Sequence, residues 1–368
     1  MHNPLASSSG EAQKTWLLMD KILASAPGRV FLAGEAAFEY GAKALSLPVE
    51  AAGKRNSVTF SFQETPGKIV AYSGQTIASL MPNGRVKGDG GLRQYLGAAK
   101  AGLVAAGIDL ETMDTSFSMS LEPALPESLG LSASLCSAIF SGVFSYYAEK
   151  EGARDAFSKA YSTAGADSIM DADVCLMASD SALVLTRSFL LDGTVKLASK
   201  KARAAMPDGT TLLYAEPAGT KDLREEMSRK ISAFSKAACV SGNRAKTALQ
   251  MTSGERANAS EAFSSITTRL AKELAAESPS AEKTAIYLEC EQELLSASGA
   301  VPASCAAAVT AAKKAGALAA KSSGFFGGVI AFCYENGADA VADGLAASSF
   351  SVCGPLGISK KGADCAPA

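Results

Sequence analysis

Apolar positions along the chain change their period several times, and each change marks an element. Residues 22–33 read as strand, turn, strand, with Pro27-Gly28 as the break. Residues 58–62 and 68–72 predict two strands around the turn Thr65-Pro66-Gly67. Leu92, Leu96, Ala99 and Leu103 fall on one helical face, which predicts a helix over 92–106. Residues 117–121 alternate as a strand does. A stretch rich in Pro, Gly and Ser fills 123–134, and a strongly apolar helix is expected over 135–148. Residues 182–191 predict a strand that ends at Asp192-Gly193.

The texture changes near residue 200. A strand is expected at 210–214, and 220–319 read as largely helical and rich in Ala, Ser and Lys. A small-residue loop at 322–328, a strand at 329–334, a helix at 339–347 and a last strand near 349–352 follow. Strands and helices mix without strict alternation, so the class is α+β rather than a doubly wound sheet. The expected organisation is a disordered polar lead-in over 1–20 and two domains, 21–200 and 201–368.

Composition narrows the chemistry. With 35 basic and 37 acidic residues and no basic run, nucleic acid is not an expected partner. No apolar run reaches the about 18 residues a membrane span needs, so no membrane partner is expected and a cytoplasmic location is the default. The eight cysteines form no C-x-x-C pair and read as buried free thiols. There is one histidine, His2, in the lead-in. Histidine-based triads and H-E-x-x-H zinc sites are thereby excluded, and acid–base work falls to carboxylates, Lys, Tyr or Cys.

Four segments bear on chemistry. In Ala26-Pro27-Gly28-Arg29-Val30-Phe31-Leu32-Ala33-Gly34-Glu35, a guanidinium and a carboxylate stand at the two ends of one short apolar strand. In Pro126-Glu127-Ser128-Leu129-Gly130-Leu131-Ser132-Ala133-Ser134-Leu135, small residues lead into an apolar helix. Such a loop lets the backbone approach a ligand, and the helix N-terminus favours phosphate. A capping serine at Ser132 or Ser134 explains the same pattern without a ligand. No Gly-Lys-Ser/Thr ends the loop, so it is not a Walker A motif. Asp171 lies in Ser168-Ile169-Met170-Asp171-Ala172, where a carboxylate can take a proton from a hydroxyl or simply form a turn. Lys321-Ser322-Ser323-Gly324-Phe325-Phe326-Gly327-Gly328 is a second glycine-bearing loop.

In order and spacing these segments resemble the GHMP kinases (galactokinase, homoserine kinase, mevalonate kinase, phosphomevalonate kinase). The first is similar to the family pattern P-G-K/R-V/I-x-L/F-x-G-E-H. The second is similar to P-x-G-x-G-L-G-S-S-A, and the fourth to K/R-x-S/T-G-A-G-G-G-G. Residues 165–171 resemble the S-P-M-D-T stretch of archaeal mevalonate kinases, and 293–321 resemble that branch's C-terminal domain. The resemblance covers about residues 22–358. It implies a two-domain α+β fold: an N-terminal domain like ribosomal protein S5 domain 2, a C-terminal ferredoxin-like domain, and a site in the cleft between them.

The resemblance also implies roles. Pro126, Ser128, Gly130, Leu131, Ser132, Ala133 and Ser134 would hold the phosphates of ATP, with Ser323, Gly324 and Gly327 as further nucleotide contacts. Ser134 would help ligate Mg²⁺. Asp171 would accept or orient the acceptor's proton, and Arg29 would stabilise ionised Asp171 and the transferring phosphoryl group. Glu35, Ala36 and Asp171 would meet the substrate. The implied activity is ATP-dependent phosphorylation of a small-molecule alcohol, mevalonate or a phosphorylated mevalonate, in isoprenoid synthesis. Mevalonate-3-phosphate 5-kinase, phosphomevalonate kinase and a non-catalytic ligand-binding homologue are the alternatives. Dimers are common among relatives, which leaves a homodimer open, and no interface can be read from the sequence. The chain departs from the pattern in places. Ala36-Ala37 replaces the histidine, Ser128 and Ser132 replace glycines, Ala133 replaces the first serine, and Phe325-Phe326 interrupts the last loop. No glutamate occurs in Tyr161-Ser162-Thr163-Ala164, where the family's metal-binding glutamate is expected, which leaves Asp167 or Asp173 as substitutes.

Overall fold

The computed structural model describes residues 21–65, 67–148, 181–190, 195–217, 253–323 and 327–368, with Leu223, Glu226 and Lys230 between them. The chain begins with β1 (Lys21–Ala26), breaks at Pro27 and continues as β2 (Gly28–Ala33). A 3-10 turn over Glu35–Tyr40 leads to β3 (Ala44–Ala51). Strands β4 (Asn56–Gln63), β5 (Ile69–Ser73), β6 (Thr76–Leu80) and β7 (Val86–Gly88) precede helix α1 (Arg93–Ala105), β8 (Ser116–Glu122) and helix α2 (Leu131–Tyr147). Next come β9 (Ser181–Phe189), β10 (Val195–Arg203) and β11 (Thr210–Pro217), then helices α3 (Ser253–Leu274), α4 (Ala281–Ala297) and α5 (Ala303–Lys314). The last elements are β12 (Ala319–Ser323), β13 (Gly328–Tyr334), helix α6 (Ala338–Ala346), β14 (Phe350–Ile358) and β15 (Asp364–Pro367).

Contact density divides the described chain into two compact units. One holds residues 21–28, 54–148 and 361–368; the other holds 29–53 and what is described from 181 to 360. The sequence suggests one boundary near residue 200. Strand pairing accounts for the grouping seen: β3 pairs with β14 and β9, and β15 pairs with β1.

In the first unit seven strands run in the order β15-β1-β4-β8-β5-β6-β7. All neighbours are antiparallel except β5 and β8. β4 shows why this face buries: Val58, Phe60 and Phe62 point inward while Ser57, Thr59 and Ser61 stay half-buried, the period-2 pattern of a one-sided strand. Helices α1 and α2 cover that face with Leu96, Leu103, Ile139, Phe140 and Val143. Phe62 stacks on Tyr146 with ring centroids 3.7 Å apart.

In the second unit the sheet order is β10-β9-β3-β14-β11-β13-β12, with β2 paired to β3. All six residues of β2 are buried. Helices α5 and α6 lay Val309, Ala312, Val341 and Leu345 against Leu213, Val329 and Ala331 of the sheet. Among the described residues no helix is long and apolar enough to cross a membrane. The six described cysteines are free thiols.

Two local expectations change. Helix α2 starts at Leu131, not 135, so Ser132, Ala133 and Ser134 belong to its first turn rather than to a loop. Gly130, in the left-handed conformation at φ 76°, ends the preceding turn and lets the helix begin early. Ser322 and Ser323 belong to β12, where Ser322 pairs with Val329 and Ser323 with Gly328. Small side chains there read as a loop, but the ladder uses their backbone.

Candidate functional site

The phosphate-loop segment is built within the first unit. Asn56 is fully buried, and its Oδ1 accepts from the N–H groups of Ala124 (2.8 Å) and Leu125 (2.9 Å). That fixes how the chain enters Pro126. One 3-10 turn, Glu127–Leu129, follows, then Gly130, then α2. A Cβ at Gly28 would lie 2.7 Å from the Leu129 carbonyl oxygen, so only glycine lets the strand end sit against this turn. No side chain caps α2. An uncapped helix start offers N–H groups and the positive end of the helix dipole, a ready site for phosphate.

The serines of this turn have separate jobs. Ser134 is fully buried and its hydroxyl donates to the Ala26 carbonyl at 2.9 Å, fastening α2 to the end of β1. Ser132 is at the rim. Its hydroxyl donates to Glu127 Oε1 at 2.7 Å and accepts from Gln94 Nε2 at 3.3 Å. Beside it, burial pushes the Tyr95 phenol up, so that side chain stays neutral. Ser128 and Ala133 are buried, and Pro126 and Leu131 half-buried.

The first and fourth sequence segments meet within the second unit. Arg29 is buried, with its guanidinium 4.6 Å from the Phe31 ring centroid, a cation–π distance. The Phe31 carbonyl accepts from the Ser323 hydroxyl at 3.0 Å. β2 ends at Gly34, whose φ is 81° and where a Cβ would lie 1.9 Å from the Lys43 carbonyl oxygen. The Gly34 N–H donates to Glu291 Oε1 at 2.8 Å. The next residue, Glu35, accepts from Lys321 Nζ at 2.9 Å, and both side chains are at most 1% exposed. Glu291 is fully buried on α4. Desolvation pushes its carboxyl up to about 7; Lys321 opposes the shift and Glu35 adds to it. Ala36 and Ala37 pack into an apolar cluster with Phe263, Leu295 and Ala300. Gln292 accepts from the Ser322 N–H at 2.7 Å, and the Cys305 thiol donates to the Gly327 carbonyl at 2.8 Å.

The fold thus gathers the residues of 126–134 in one place, and Arg29, Glu35, Ala36, Lys321 and Ser323 in another. Asp171 and Gly324 lie outside the described residues. Sequence reasoning missed Asn56, Gln94, Glu291 and Gln292. For Glu291 a signal existed: it stands in the buried stripe Thr284, Leu288, Glu291, Leu295 of α4, where an apolar residue is the norm. The phosphates of ATP suit the cradle, because backbone N–H groups supply it. For Mg²⁺ the described residues alone do not build a site: no three His, Cys, Asp or Glu gather, and Ser134 is enclosed against Ala26.

The fold is that of the GHMP kinases. It matches a Methanococcus jannaschii mevalonate kinase at TM-score 0.62 and 17% identity, over 90% of this chain and 96% of that one. A Lactococcus lactis galactokinase complexed with galactose matches at 0.64 and 16%, over 96% and 99%. A Streptococcus pneumoniae phosphomevalonate kinase, in complex with phosphomevalonate and AMPPNP, matches at 0.63 and 13%, over 89% and 97%. No protein-family model and no curated protein sequence matches the chain. At these identities the likeness is one of fold.

Proposed function

We propose that the protein is a small-molecule kinase that transfers the γ-phosphoryl group of ATP to a hydroxyl of mevalonate or a phosphorylated mevalonate. The observation that carries this reading is the uncapped N-terminus of α2, entered through left-handed Gly130 and closed on by Gly28. Its backbone N–H groups hold the nucleotide phosphates. Arg29 is the candidate cation for the charge that builds on the transferring group. Asp171 is the candidate base, with a carboxylate doing what no histidine here can do. Phosphoryl transfer needs positioning and charge neutralisation more than covalent chemistry, so this short cast suffices. Mg²⁺ accompanies ATP in this reading. Galactokinase-like and mevalonate-kinase-like folds match equally well, so fold does not select the acceptor. The mevalonate branch is favoured by the Ser168-Ile169-Met170-Asp171 stretch. The loss of histidine at Ala36 points to an acceptor other than plain mevalonate.

A coupled assay of ADP release with mevalonate, mevalonate 3-phosphate, mevalonate 5-phosphate, galactose and homoserine tests the reading. Turnover with one of the three mevalonates is expected. Turnover with galactose or homoserine alone moves the acceptor to a sugar or an amino acid. ATP binding with no turnover on any of the five leaves a ligand-binding homologue. Asp171→Asn is expected to lower kcat by about 10²-fold or more, the usual range for a lost general base, with ATP affinity kept. An unchanged kcat removes Asp171 from the chemistry.

A further inference from the structure

We propose that Glu291 is the positioning residue of the Gly34-Glu35 turn, holding it through the Gly34 amide and sharing Lys321 with Glu35. The proposal rests on reading that turn as the acceptor's neighbourhood. Three separate elements converge there: the 3-10 turn after β2, helix α4 and strand β12. Glu291 is 257 residues from Gly34, and Lys321 is 286 from Glu35, so tertiary structure alone makes these contacts.

Packing does not ask for a glutamate at 291. Leu288 and Leu295 flank it on the buried stripe, and a leucine would continue that stripe. What glutamate adds is one acceptor inside the protein, aimed at Gly34. That amide needs one. A left-handed residue with its Cα against the Lys43 carbonyl cannot shift to find another partner, and a buried N–H left unpaired costs free energy. Thr267 of α3 closes the other side of the turn, its hydroxyl donating to Lys43 O at 3.0 Å.

Charge decides which form of Glu291 does this. The charged groups facing it are Lys321 from β12 and Glu35 from the turn; α3 brings Thr267 and Phe263, which do not titrate. Burial, and less so Glu35, raise the Glu291 carboxyl to about 7 against the pull of Lys321 and the Gly34 N–H, so near neutral pH it stands between its two forms. Protonated, it accepts the Gly34 N–H through Oε1 and leaves the ammonium to Glu35. Its other oxygen, Oε2, is buried without a hydrogen-bond partner among the described residues, a poor place for a full negative charge. Once ionised, Glu291 accepts the Gly34 N–H more strongly and draws Lys321 away from Glu35, so the Glu35 end of the turn loosens.

The full chain and two variants test this. Glu291→Gln keeps an acceptor oxygen and cannot ionise; Glu291→Leu keeps the apolar stripe and removes the acceptor. The KM for the alcohol that supports turnover in the five-compound assay is expected to rise about tenfold between pH 6 and pH 9 in the unsubstituted protein and to stay flat in Glu291→Gln. In Glu291→Leu that KM is expected to be flat with pH and about tenfold above the unsubstituted protein's value at pH 6, the size of one lost hydrogen bond, while the Kd for ATP is unchanged. Hydrogen exchange at the Gly34 amide, corrected for its intrinsic pH dependence, needs no turnover: protection is expected to rise as Glu291 ionises in the unsubstituted protein, to stay flat in Glu291→Gln and to be lower in Glu291→Leu. Identical pH dependence of Gly34 protection in the unsubstituted protein and Glu291→Gln overturns the proposal. So does a cooperatively folded Glu291→Leu with unchanged protection. If Glu291→Leu does not fold, the Gln comparison decides alone. If no alcohol is turned over, the kinase reading fails, and the exchange data still decide the role of Glu291.

Discussion

The turn at residues 126–134 and the Gly34-Glu35 turn solve the problem of holding polar groups in opposite ways. In the first, the side chains at the rim are open to water: Glu127 is exposed, Ser132 half-buried, and the helix start presents backbone N–H groups. In the second, Glu35, Glu291 and Lys321 are each at least 98% buried and serve one another. A backbone site tolerates side-chain change. Ser128, Ser132 and Ala133 stand where the resemblance has glycine, glycine and serine, yet Gly130 keeps its left-handed turn and Gly28 its close approach. A closed charge cluster has no such tolerance, since removing one member strands the others. Substitutions at the two places should therefore differ in kind: small effects on ligand affinity at the first, large effects on stability and geometry at the second.

The largest effect is expected for Lys321→Met. Methionine fills much of the same volume, but Glu35 and Glu291 then lie buried without this ammonium. Breaking a buried ion pair from one side costs about 3–5 kcal/mol, and urea unfolding at pH 8 should show a loss of that size. At pH 5 Glu291 carries its proton, and the loss should shrink. Glu291 bears on the same experiment. Its folded value of about 7 lies above its ordinary 4.5, so it favours the folded state below pH 4.5, and that contribution is lost as pH rises through 7. Glu291→Gln should therefore flatten the fall in stability between pH 4.5 and 7. An equal loss at both pH values in Lys321→Met would show that packing, not charge, holds the cluster.

Ser134→Ala should have a middling effect. It deletes the buried hydrogen bond to Ala26 and leaves that carbonyl without this donor, a cost of about 1–2 kcal/mol. ATP affinity should change little, because the hydroxyl points at β1 rather than at the rim. A collapse of kcat with stability intact would instead put this hydroxyl at a metal ion, the role the resemblance implies, and would break the contrast drawn between the two turns.

Legibility in the sequence follows the same contrast. The turn and helix start at 126–135 could be read because their signal is local: proline, small residues and a following apolar helix lie within about 20 positions. The α+β class and most elements were legible for the same reason. Strands β3, β6, β7, β10, β12 and β15 were not anticipated, being short, rich in small residues, or polar on alternate positions. The Glu35–Lys321 pair is a different matter. Each residue was marked within its own motif, but nothing local says that they touch across 286 positions. Glu291 carried only its misfit in an apolar stripe. Asn56 carried nothing, since one asparagine at a strand start is ordinary; its worth lies in two amide bonds to a loop 68 and 69 residues away.

The smallest effect, and the one that tests the open turn most directly, belongs to Glu127→Gln. The Glu127 carboxylate accepts from Ser132 in the first turn of α2, so it lies where the helix dipole attracts anions. It also adds to the upward push on the Tyr95 phenol. In the free protein it lies near the positive end of the helix dipole; in the proposed complex it is a like charge to the phosphates at the same helix end. Neutralising it should cost about 0.3–1 kcal/mol of stability and tighten ATP binding by about two- to fivefold at low salt, with the gain fading as salt is raised. Titration of ATP by calorimetry at two salt concentrations measures this. Weaker binding in Glu127→Gln would mean that the carboxylate holds the cation that travels with ATP. The rim of the cradle would then work through a charged side chain, as the Gly34-Glu35 turn does.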